Sequence, residues 1–206
     1  MYARVASFDQ RDAGLVDDLI GTVRERVSSG QAPPGAKGLL MLVDRTGGKS
    51  LGISFFESED AIREAEPAFE RMGDEIPEKV RGRRTSVEVY EVALDEAGEG
   101  AKAARVSSFE GPADKIDEGT RYAEENVLPR ARQMKGWQGV VSLVDRKSGR
   151  SKLITLWESE DALRASEEQA DQLRKQAAEG AGERISAVER YEVAVALRVE
   201  ALSQPL

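Results

Sequence analysis

The sequence predicts an α+β protein made of two βαββαβ repeats, and two observations carry this prediction. The chain has 206 residues and aligns with itself at a shift of 101 positions, where 14 of the 26 residues in Gly38–Arg63 recur in Gly139–Arg164. Unrelated segments of average composition would share roughly two. In both copies, runs of strand-forming residues and helically spaced apolar residues follow one another in the same order.

The repeats have clear bounds because the alignment needs no insertion. The first repeat is predicted at residues 1–95 and the second at residues 103–197, with residues 96–102 as a linker rich in glycine and charge. Residues 198–206 form a tail with no counterpart in the linker. A unit of this size that occurs twice is a duplicated domain, because solenoid repeats recur with periods of about 20–50 residues.

Each repeat begins with a short strand, Ala3–Phe8 or Ala104–Phe109, bounded by polar residues. A helix follows, and the spacing of its apolar residues places them on one face. These residues are Leu15, Val16, Leu19, Ile20, Val23 and Val27 in the first copy, and Ile116, Tyr122, Ala123 and Val127 in the second.

The middle of each repeat has the pattern of a β-hairpin followed by a helix. The strands "GLLMLVD" and "GVVSLVD" lead into "RTGGK" and "RKSGR", whose Gly-Gly and Ser-Gly pairs are typical of tight turns. The return strands are "LGISFF" and "LITLW". Ser58 and Ser159 are predicted to cap the second helix, with two acidic residues in its first turn. The last strand of each repeat ends in "YEVA".

This element order is that of a ferredoxin-like unit, an antiparallel sheet with both helices on one face. A sheet covered on one face only should alternate apolar and polar residues. The strands Leu39–Val43 and Val140–Val144 do not alternate, because apolar residues occupy both faces. We therefore expect the two sheets to pack face to face within one chain, as an intrachain pseudo-dimeric α+β barrel, and the protein to be a monomer.

The stretch "GWQGVVSLVDRKSGRSKLITLWESEDALRAS", Gly136 to Ser166, resembles the antibiotic biosynthesis monooxygenase-like domains of the dimeric α+β barrel superfamily. The first copy fits less well, because Ala36 and Phe56 replace Trp137 and Trp157. Members of this superfamily include cofactor-independent oxygenases, haem-degrading enzymes, isomerases and proteins without known activity, so the resemblance implies the fold and leaves the function open. It also implies that two partners of a family dimer are fused here.

Composition excludes several classes of function. The chain has neither cysteine nor histidine, which removes thiol nucleophiles, disulfides, thiolate or imidazole metal ligands and a Ser-His-Asp relay. A net charge of −8 argues against a nucleic-acid partner. The basic run Arg81–Arg84 is interpreted as a solvated loop. No apolar run is long enough to span a membrane, and the N-terminus lacks a signal-peptide pattern, so we expect a cytoplasmic protein.

No cofactor is expected. No Gly-x-Gly-x-x-Gly run leads from a strand into a helix, which argues against nicotinamide and flavin. The resemblance implies that haem-degrading relatives carry a Trp and a His in the second helix, where this chain has Ser166 and Gln176, or Ala65 and Glu75 in the first copy. Haem ligation would then need Tyr or Met.

Candidate substrate-binding residues lie on the hairpin of the second repeat. If Ser148-Gly149 is a two-residue turn, Ser142 lies opposite Thr155, with Trp157 further along the same face. These residues could form a small-molecule pocket, to which Tyr122 from the preceding helix could contribute. In the alternative interpretation, the hydroxyls bond each other or nearby backbone, and the indole fills the core.

Candidate catalytic residues lie on the first and last strands of the second repeat. Arg105 or Arg190 could bind an anionic group or an enolate, Glu189 could act as a base, and Tyr191 could donate a proton. The alternative is structural: Arg105 pairs with Glu189, as Arg4 would with Glu88, because an unpaired buried charge is costly, and the tyrosine packs with its hydroxyl at the rim.

The repeats differ in charge, which suggests that they differ in function. Residues 1–100 carry 13 basic and 20 acidic side chains, and residues 101–206 carry 17 and 18. We therefore expect the second repeat to hold the ligand cavity and the first to supply the facing sheet. The predicted function is binding of a small aromatic or quinone-like molecule, with cofactor-independent oxygenation as its enzymatic form. The alternative is a non-catalytic small-ligand-binding or stress-associated protein.

Overall fold

A computed structural model describes residues 1–9 and 12–198. The strands are β1 (Tyr2–Asp9), β2 (Gly38–Asp44), β3 (Lys49–Phe56), β4 (Arg83–Asp95), β5 (Ala103–Glu110), β6 (Trp137–Asp145), β7 (Arg150–Trp157) and β8 (Arg184–Arg198). The helices are α1 (Val16–Ser28), α2 (Glu59–Glu75), α3 (Glu78–Arg81), α4 (Ile116–Tyr122), α5 (Leu128–Ala131), α6 (Glu160–Ala165) and α7 (Glu167–Ala181), with a π-helical turn at Ala123–Val127 between α4 and α5. The predicted C-terminal tail lies outside the described residues, apart from the end of β8.

The order of elements is the predicted βαββαβ order in both repeats. The strands form a closed barrel in the order β1-β3-β2-β8-β5-β7-β6-β4. The pairs β1–β3, β2–β3, β5–β7, β5–β8 and β6–β7 are all antiparallel. The predicted α+β barrel is therefore confirmed. Among the described residues, no helix combines the length and apolar character that crossing a bilayer requires.

The chain divides into two compact units that do not coincide with the repeat bounds. One unit contains Met1–Tyr90 together with β8 from Val193, and the other contains Glu91–Glu192. The boundary therefore falls inside the last strand of each repeat. The end of β4, for example, pairs with β6 inside the second unit, with Glu91 opposite Val144.

Both faces of each sheet are buried, as the lack of alternation predicted. In the first unit, the face that does not meet the helices carries Val5, Leu42 and Ile53, which have no exposed surface. The corresponding residues of the second unit include Ala104, Val106, Val141 and Ile154, which are all at most 1% exposed. The other face, called here the helix face, contacts the helices of the same unit.

The hairpins differ from the predicted two-residue turns. Asp44 pairs with Lys49 and Asp145 with Arg150, so each loop has four residues. The Asp145 carboxylate accepts hydrogen bonds from the backbone N–H groups of Lys147 and Ser148, and Asp44 binds its own loop in the same way. Such aspartate-centred turns compete with tighter ones. Gly149 then closes its loop at a positive φ of 73°.

The predicted N-caps are confirmed. The hydroxyl oxygens of Ser58 and Ser159 accept hydrogen bonds from the N–H groups of Ala61 and Ala162, each at 3.1 Å. These caps satisfy backbone donors that the first turn of a helix leaves without partners. They fix where α2 and α6 begin, directly after β3 and β7, and so place both helices against the helix face of their own sheet.

Candidate ligand site

A cavity of about 600 Å³ lies in the first repeat, between the helix face of its sheet and the helices α1 and α2. Its floor and walls are mostly apolar, and they include Ala6, Phe8, Leu19, Val23, Leu39, Met41, Phe69, Met72 and Ile76. A smaller cavity of about 250 Å³ adjoins it between α2 and the loop that follows α1. Both cavities lie in the first repeat, which contradicts the expectation that the second repeat holds the ligand cavity.

Part of the cavity lies where side chains of the second repeat have smaller counterparts in the first. At the shift of 101 positions, four residues that border the cavity are each smaller than their equivalents. These are Pro33, Ala36, Gly52 and Gly73, which stand where the second repeat has Met134, Trp137, Leu153 and Arg174. Folded interiors normally leave few voids larger than a water molecule. Each of these four differences adds space on the helix face of the first repeat.

Two glycines contribute most directly to this space. A β-carbon added at Gly52 on β3, or at Gly73 on α2, would meet no atom within 4 Å. Gly52 lies opposite Ala6 on β1 and Met41 on β2. The floor therefore has a gap between these two side chains, which a ligand ring can enter.

Two hydroxyl groups are the uncharged polar side chains in the floor. Ser50 and Ser54 flank Gly52 on β3 and are 5% and 6% exposed. Neither hydroxyl has a hydrogen-bond partner among the described residues. Both residues border the cavity, where a ligand oxygen or a water molecule can supply a partner.

An ion pair closes one end of the cavity. The Nε and a terminal nitrogen of Arg4 donate to the two carboxylate oxygens of Glu66 at 2.9 and 2.8 Å. The guanidinium also lies over the ring of Phe69, at 3.9 Å from its centroid. The hydrogen bonds from Arg4 hold the pKa of Glu66 below its ordinary value. Glu66 is therefore a poor base, and Arg4 has its charge already balanced.

The predicted pocket residues of the second repeat are in a packed core. Trp157 is 1% exposed and clusters with Val127, Met134, Leu163 and Leu173. Its indole N–H donates to the Thr155 hydroxyl at 3.1 Å, and its ring meets the edge of Trp137 at 5.6 Å between centroids. The packing interpretation accounts for these contacts.

The predicted alignment of Ser142 with Thr155 is wrong by two residues. The four-residue loop places Ser142 opposite Leu153, and Thr155 opposite Val140. The two hydroxyls still share the helix face, because a shift of two residues keeps the face unchanged. They are not cross-strand neighbours.

The candidate catalytic residues lie on both faces of their sheet. In the register of β5 and β8, Arg105 is opposite Arg190, whereas Glu189 is opposite Val106 and Tyr191 is opposite Ala104. Directly opposed residues share a face and adjacent ones do not. Arg105 and Arg190 are therefore on the helix face, and Glu189 and Tyr191 are on the other. Arg105 could not share one substrate atom with this base and this phenol.

The predicted pairing of Arg105 with Glu189 is also replaced by another. A terminal nitrogen of Arg105 donates to the Leu163 carbonyl at 2.9 Å, to the Ser166 hydroxyl at 3.1 Å and to Glu167 at 3.0 Å. In the first repeat, Glu66 holds the equivalent position to Glu167 and binds Arg4. The carboxylate that balances the buried arginine comes from the second helix in both repeats.

Tyr122 lies between helices. Its hydroxyl accepts a hydrogen bond from Gln176 at 3.4 Å, and a β-carbon at Gly180 would stand 2.4 Å from its ring. The ring thus fills the space left by this glycine of α7. It packs against the cluster around Trp157.

Residues that sequence reasoning missed are Gly52, Gly73, Ser50 and the other small residues of the cavity. A signal was present, because the two repeats can be compared position by position for large-to-small differences. Position 41 differs in the other sense, because the first repeat has Met41 where the second has Ser142. Phe69 and Ile76 also line the cavity and are larger than Ala170 and Ala177, so the comparison identifies the positions that open space but does not give the volume.

No protein-family model matches the chain. The chain is 31% identical over 209 residues to the uncharacterized proteins MT2634 and Rv2557 of Mycobacterium tuberculosis, and the alignment covers 98% of this chain and 92% of each relative. A solved structure described as an anthrone oxidase-like protein matches with a TM-score of 0.71 at 15% identity, over 100% of this chain and 94% of its own.

A ferredoxin-fold protein from Listeria monocytogenes, related to antibiotic biosynthesis monooxygenases, matches with a TM-score of 0.54 at 10% identity, over 93% of this chain and 94% of its own. Likeness at such low identity shows the fold alone. It confirms the resemblance to monooxygenase-related α+β barrels.

Proposed function

The chain belongs to the family of the mycobacterial protein Rv2557, and we propose that it binds a small, largely apolar aromatic molecule in the cavity of the first repeat. The observation that carries the proposal is the cavity itself. Its volume of about 600 Å³ lies within the range of about 300–1,000 Å³ typical of small-molecule sites. An apolar wall with a few polar groups is the usual composition of such a site.

The lining favours a planar ligand that carries oxygen. The floor has open space above Gly52, and the aromatic rings of Phe8 and Phe69 border the cavity. The hydroxyls of Ser50 and Ser54 can donate to, or accept from, a keto or hydroxyl group of the ligand. This chemistry agrees with the quinone-like or phenolic molecules expected from the sequence.

Binding is better supported than oxygenation. Deprotonation of a phenol needs a base whose pKa lies near the working pH. Of the carboxylates nearest the cavity, Glu66 has a lowered pKa because Arg4 binds it. Glu70, Asp74 and Glu78 border the cavity but are exposed to solvent. We therefore conclude that the protein binds a ligand without oxygenating it. Oxygen consumption in the presence of a ligand would show instead that it is an oxygenase.

The experiment is a titration of the full chain with naphthols and anthrones, in which calorimetry or ligand fluorescence measures binding. Gly52→Leu introduces the side chain that the second repeat has at Leu153, and it should weaken binding at least tenfold by filling the cavity. Gly21→Leu is the matched control. It adds the same side chain on the exposed face of α1, outside the cavity, and should bind like the wild type.

Each outcome has a consequence. Equal affinity of Gly52→Leu and the wild type would exclude the cavity as the site. Absence of binding for the whole panel would contradict the proposed function. Oxygen uptake with an anthrone that is lost in Gly52→Leu would show that the protein is an oxygenase and that the cavity is its active site. The cytoplasmic location and monomeric state stay predictions, and light scattering tests the second.

A further inference from the structure

The basic run Arg81–Arg84, which was expected to be a solvated loop, lies in secondary structure beside the cavity. Arg81 is the last residue of α3, Arg83 is the first residue of β4, and Gly82 joins them at a positive φ of 78°. Arg81, Arg83 and Arg84 all border the cavity. The prediction of a solvated loop is therefore wrong for this run.

Two of these cations occur only in the repeat that holds the cavity. At the shift of 101 positions, the second repeat has Gly182 in place of Arg81 and Ile185 in place of Arg84. The same copy of the duplicated unit thus combines the open space with two additional positive charges beside it.

Arg81 is held in place by backbone groups rather than by a carboxylate. Its Nε donates to the carbonyl oxygens of Gly73 at 2.9 Å and Ile76 at 3.2 Å, and one terminal nitrogen donates to the Gly82 carbonyl at 3.1 Å. These bonds fix the half-buried guanidinium at the C-terminal end of α2. Carbonyl groups satisfy its donors but carry no net charge, so the cation is not neutralised.

The other terminal nitrogen of Arg81 is available to a ligand. Among the described residues it has no hydrogen-bond partner, and Arg81 forms no ion pair with any of them. This nitrogen is not sealed off from solvent, in contrast to the Nε atoms of Arg105 and Arg174. Because Arg81 borders the cavity, a ligand atom there can accept a hydrogen bond from it.

The remaining charges beside the cavity are more strongly screened than that of Arg81. Three carboxylates border the cavity, and all three are exposed to solvent: Glu70, Asp74 and Glu78. Arg84 is exposed as well. Solvent and salt weaken the interactions of exposed charges much more than those of partly buried ones. The half-buried Arg81 is therefore the group that an anion inside the cavity would feel most strongly.

We propose that Arg81 binds a carboxylate group of the ligand, which makes the ligand of the cavity an aromatic carboxylic acid. This inference rests on the proposed function, because it takes the cavity to bind an aromatic molecule. A carboxylate oxygen accepts a hydrogen bond from the available terminal nitrogen, and its charge balances the guanidinium. Hydrogen bonds between guanidinium and carboxylate groups are stronger than those between neutral groups. A side chain that is already fixed also loses little freedom on binding.

The test compares the binding of naphthoate, naphthamide and naphthol to the full chain by calorimetry at neutral pH. Naphthoate and naphthamide have the same ring and nearly the same shape, and they differ in charge. We expect the wild type to bind naphthoate about tenfold more tightly than naphthamide, as one charge-assisted hydrogen bond predicts. This preference should disappear in Arg81→Gln. Arg63→Gln is the matched control, because it removes the same charge from the exposed side of α2, away from the cavity, and should keep the preference.

The neutral ligands separate binding from a structural role of Arg81. If Arg81→Gln only disturbed the end of α2, it would weaken naphthamide and naphthol as much as naphthoate, and this result would overturn the inference. We expect the affinity for the two neutral ligands to stay unchanged. Equal affinity of the wild type for naphthoate and naphthamide, or a preference lost in Arg84→Gln but kept in Arg81→Gln, would also overturn it and leave the proposed function intact. Absence of binding for all three ligands would contradict the proposed function as well.

Discussion

Gly52 in β3 and Leu153 in β7 hold equivalent positions of the two repeats. Gly52 borders the cavity, and a leucine at its position would occupy part of the space. The flanking positions keep small polar side chains in both copies, Ser50 and Ser54 against Ser151 and Thr155. The difference at this one position therefore changes the volume on the helix face more than its chemistry. The helix face of the first repeat therefore borders a ligand-sized cavity, whereas the helix face of the second repeat has a packed core.

Gly52→Leu is expected to stabilise the free protein. The new side chain enters open space, buries apolar surface and removes a glycine from a strand, which together predict a gain of about 1–2 kcal/mol in the free energy of unfolding. Denaturant unfolding monitored by tryptophan fluorescence measures it. A loss of stability would mean that the floor cannot accept a side chain and that the cavity is smaller than described.

Removing the charge of Glu66 should destabilise the first repeat. Arg4 is buried, and Glu66→Gln leaves its guanidinium without a counter-charge, although solvent reaches Glu66 and softens the effect. We expect a loss of about 2 kcal/mol. Glu70→Gln, on the exposed side of α2, should change stability by less than about 0.5 kcal/mol. Equal effects of the two substitutions would contradict the role of the Arg4–Glu66 pair.

Acid should weaken this pair in a defined window. Because hydrogen bonds from Arg4 lower the pKa of Glu66 from its ordinary value near 4.5, the folded state binds fewer protons there than the unfolded state. The stabilisation is therefore complete above the ordinary pKa and is lost as the pH falls through the lowered one. The free energy of unfolding should decrease more steeply below pH 4.5 in the wild type than in Glu66→Gln. Parallel curves would contradict the prediction.

Two glycines with similar backbone angles should differ in their tolerance of alanine. Gly149 and Gly182 have φ values of 73° and 66°, and this left-handed region costs other residues about 1–2 kcal/mol. A β-carbon at Gly149 would also stand 1.9 Å from the Gly111 carbonyl oxygen, whereas one at Gly182 meets nothing within 4 Å. Gly149→Ala should therefore be clearly less stable than Gly182→Ala. Thermal unfolding of the two variants compares them directly.

The barrel could be predicted from sequence because its signals are local or repeated. Apolar residues on both faces of β2 and β6, the matched caps Ser58 and Ser159, and the constant shift between copies all agree with one fold. The strand pattern and the caps depend on near neighbours in the chain, and the constant shift depends on comparing the two copies. A fold can be predicted from sequence when such signals agree with one another.

The site was less predictable, because it depends on residues that meet only in the folded chain. Ala36, Gly52 and Gly73 come from a loop, a strand and a helix, and the space they leave has no signature in any one segment. The partner of Arg105 was missed for a related reason. Glu189 on the neighbouring strand was the expected carboxylate, whereas Glu167 reaches Arg105 from the start of α7.

A crystal of the protein soaked with a brominated naphthol would show whether the first-repeat cavity binds this ligand, because anomalous scattering locates bromine without reference to the protein atoms. We expect a bromine peak in the first repeat, between the floor at Gly52 and the helix α2 near Phe69 and Met72. A peak beside Trp157 in the second repeat, or an unoccupied cavity at saturating ligand, would contradict it.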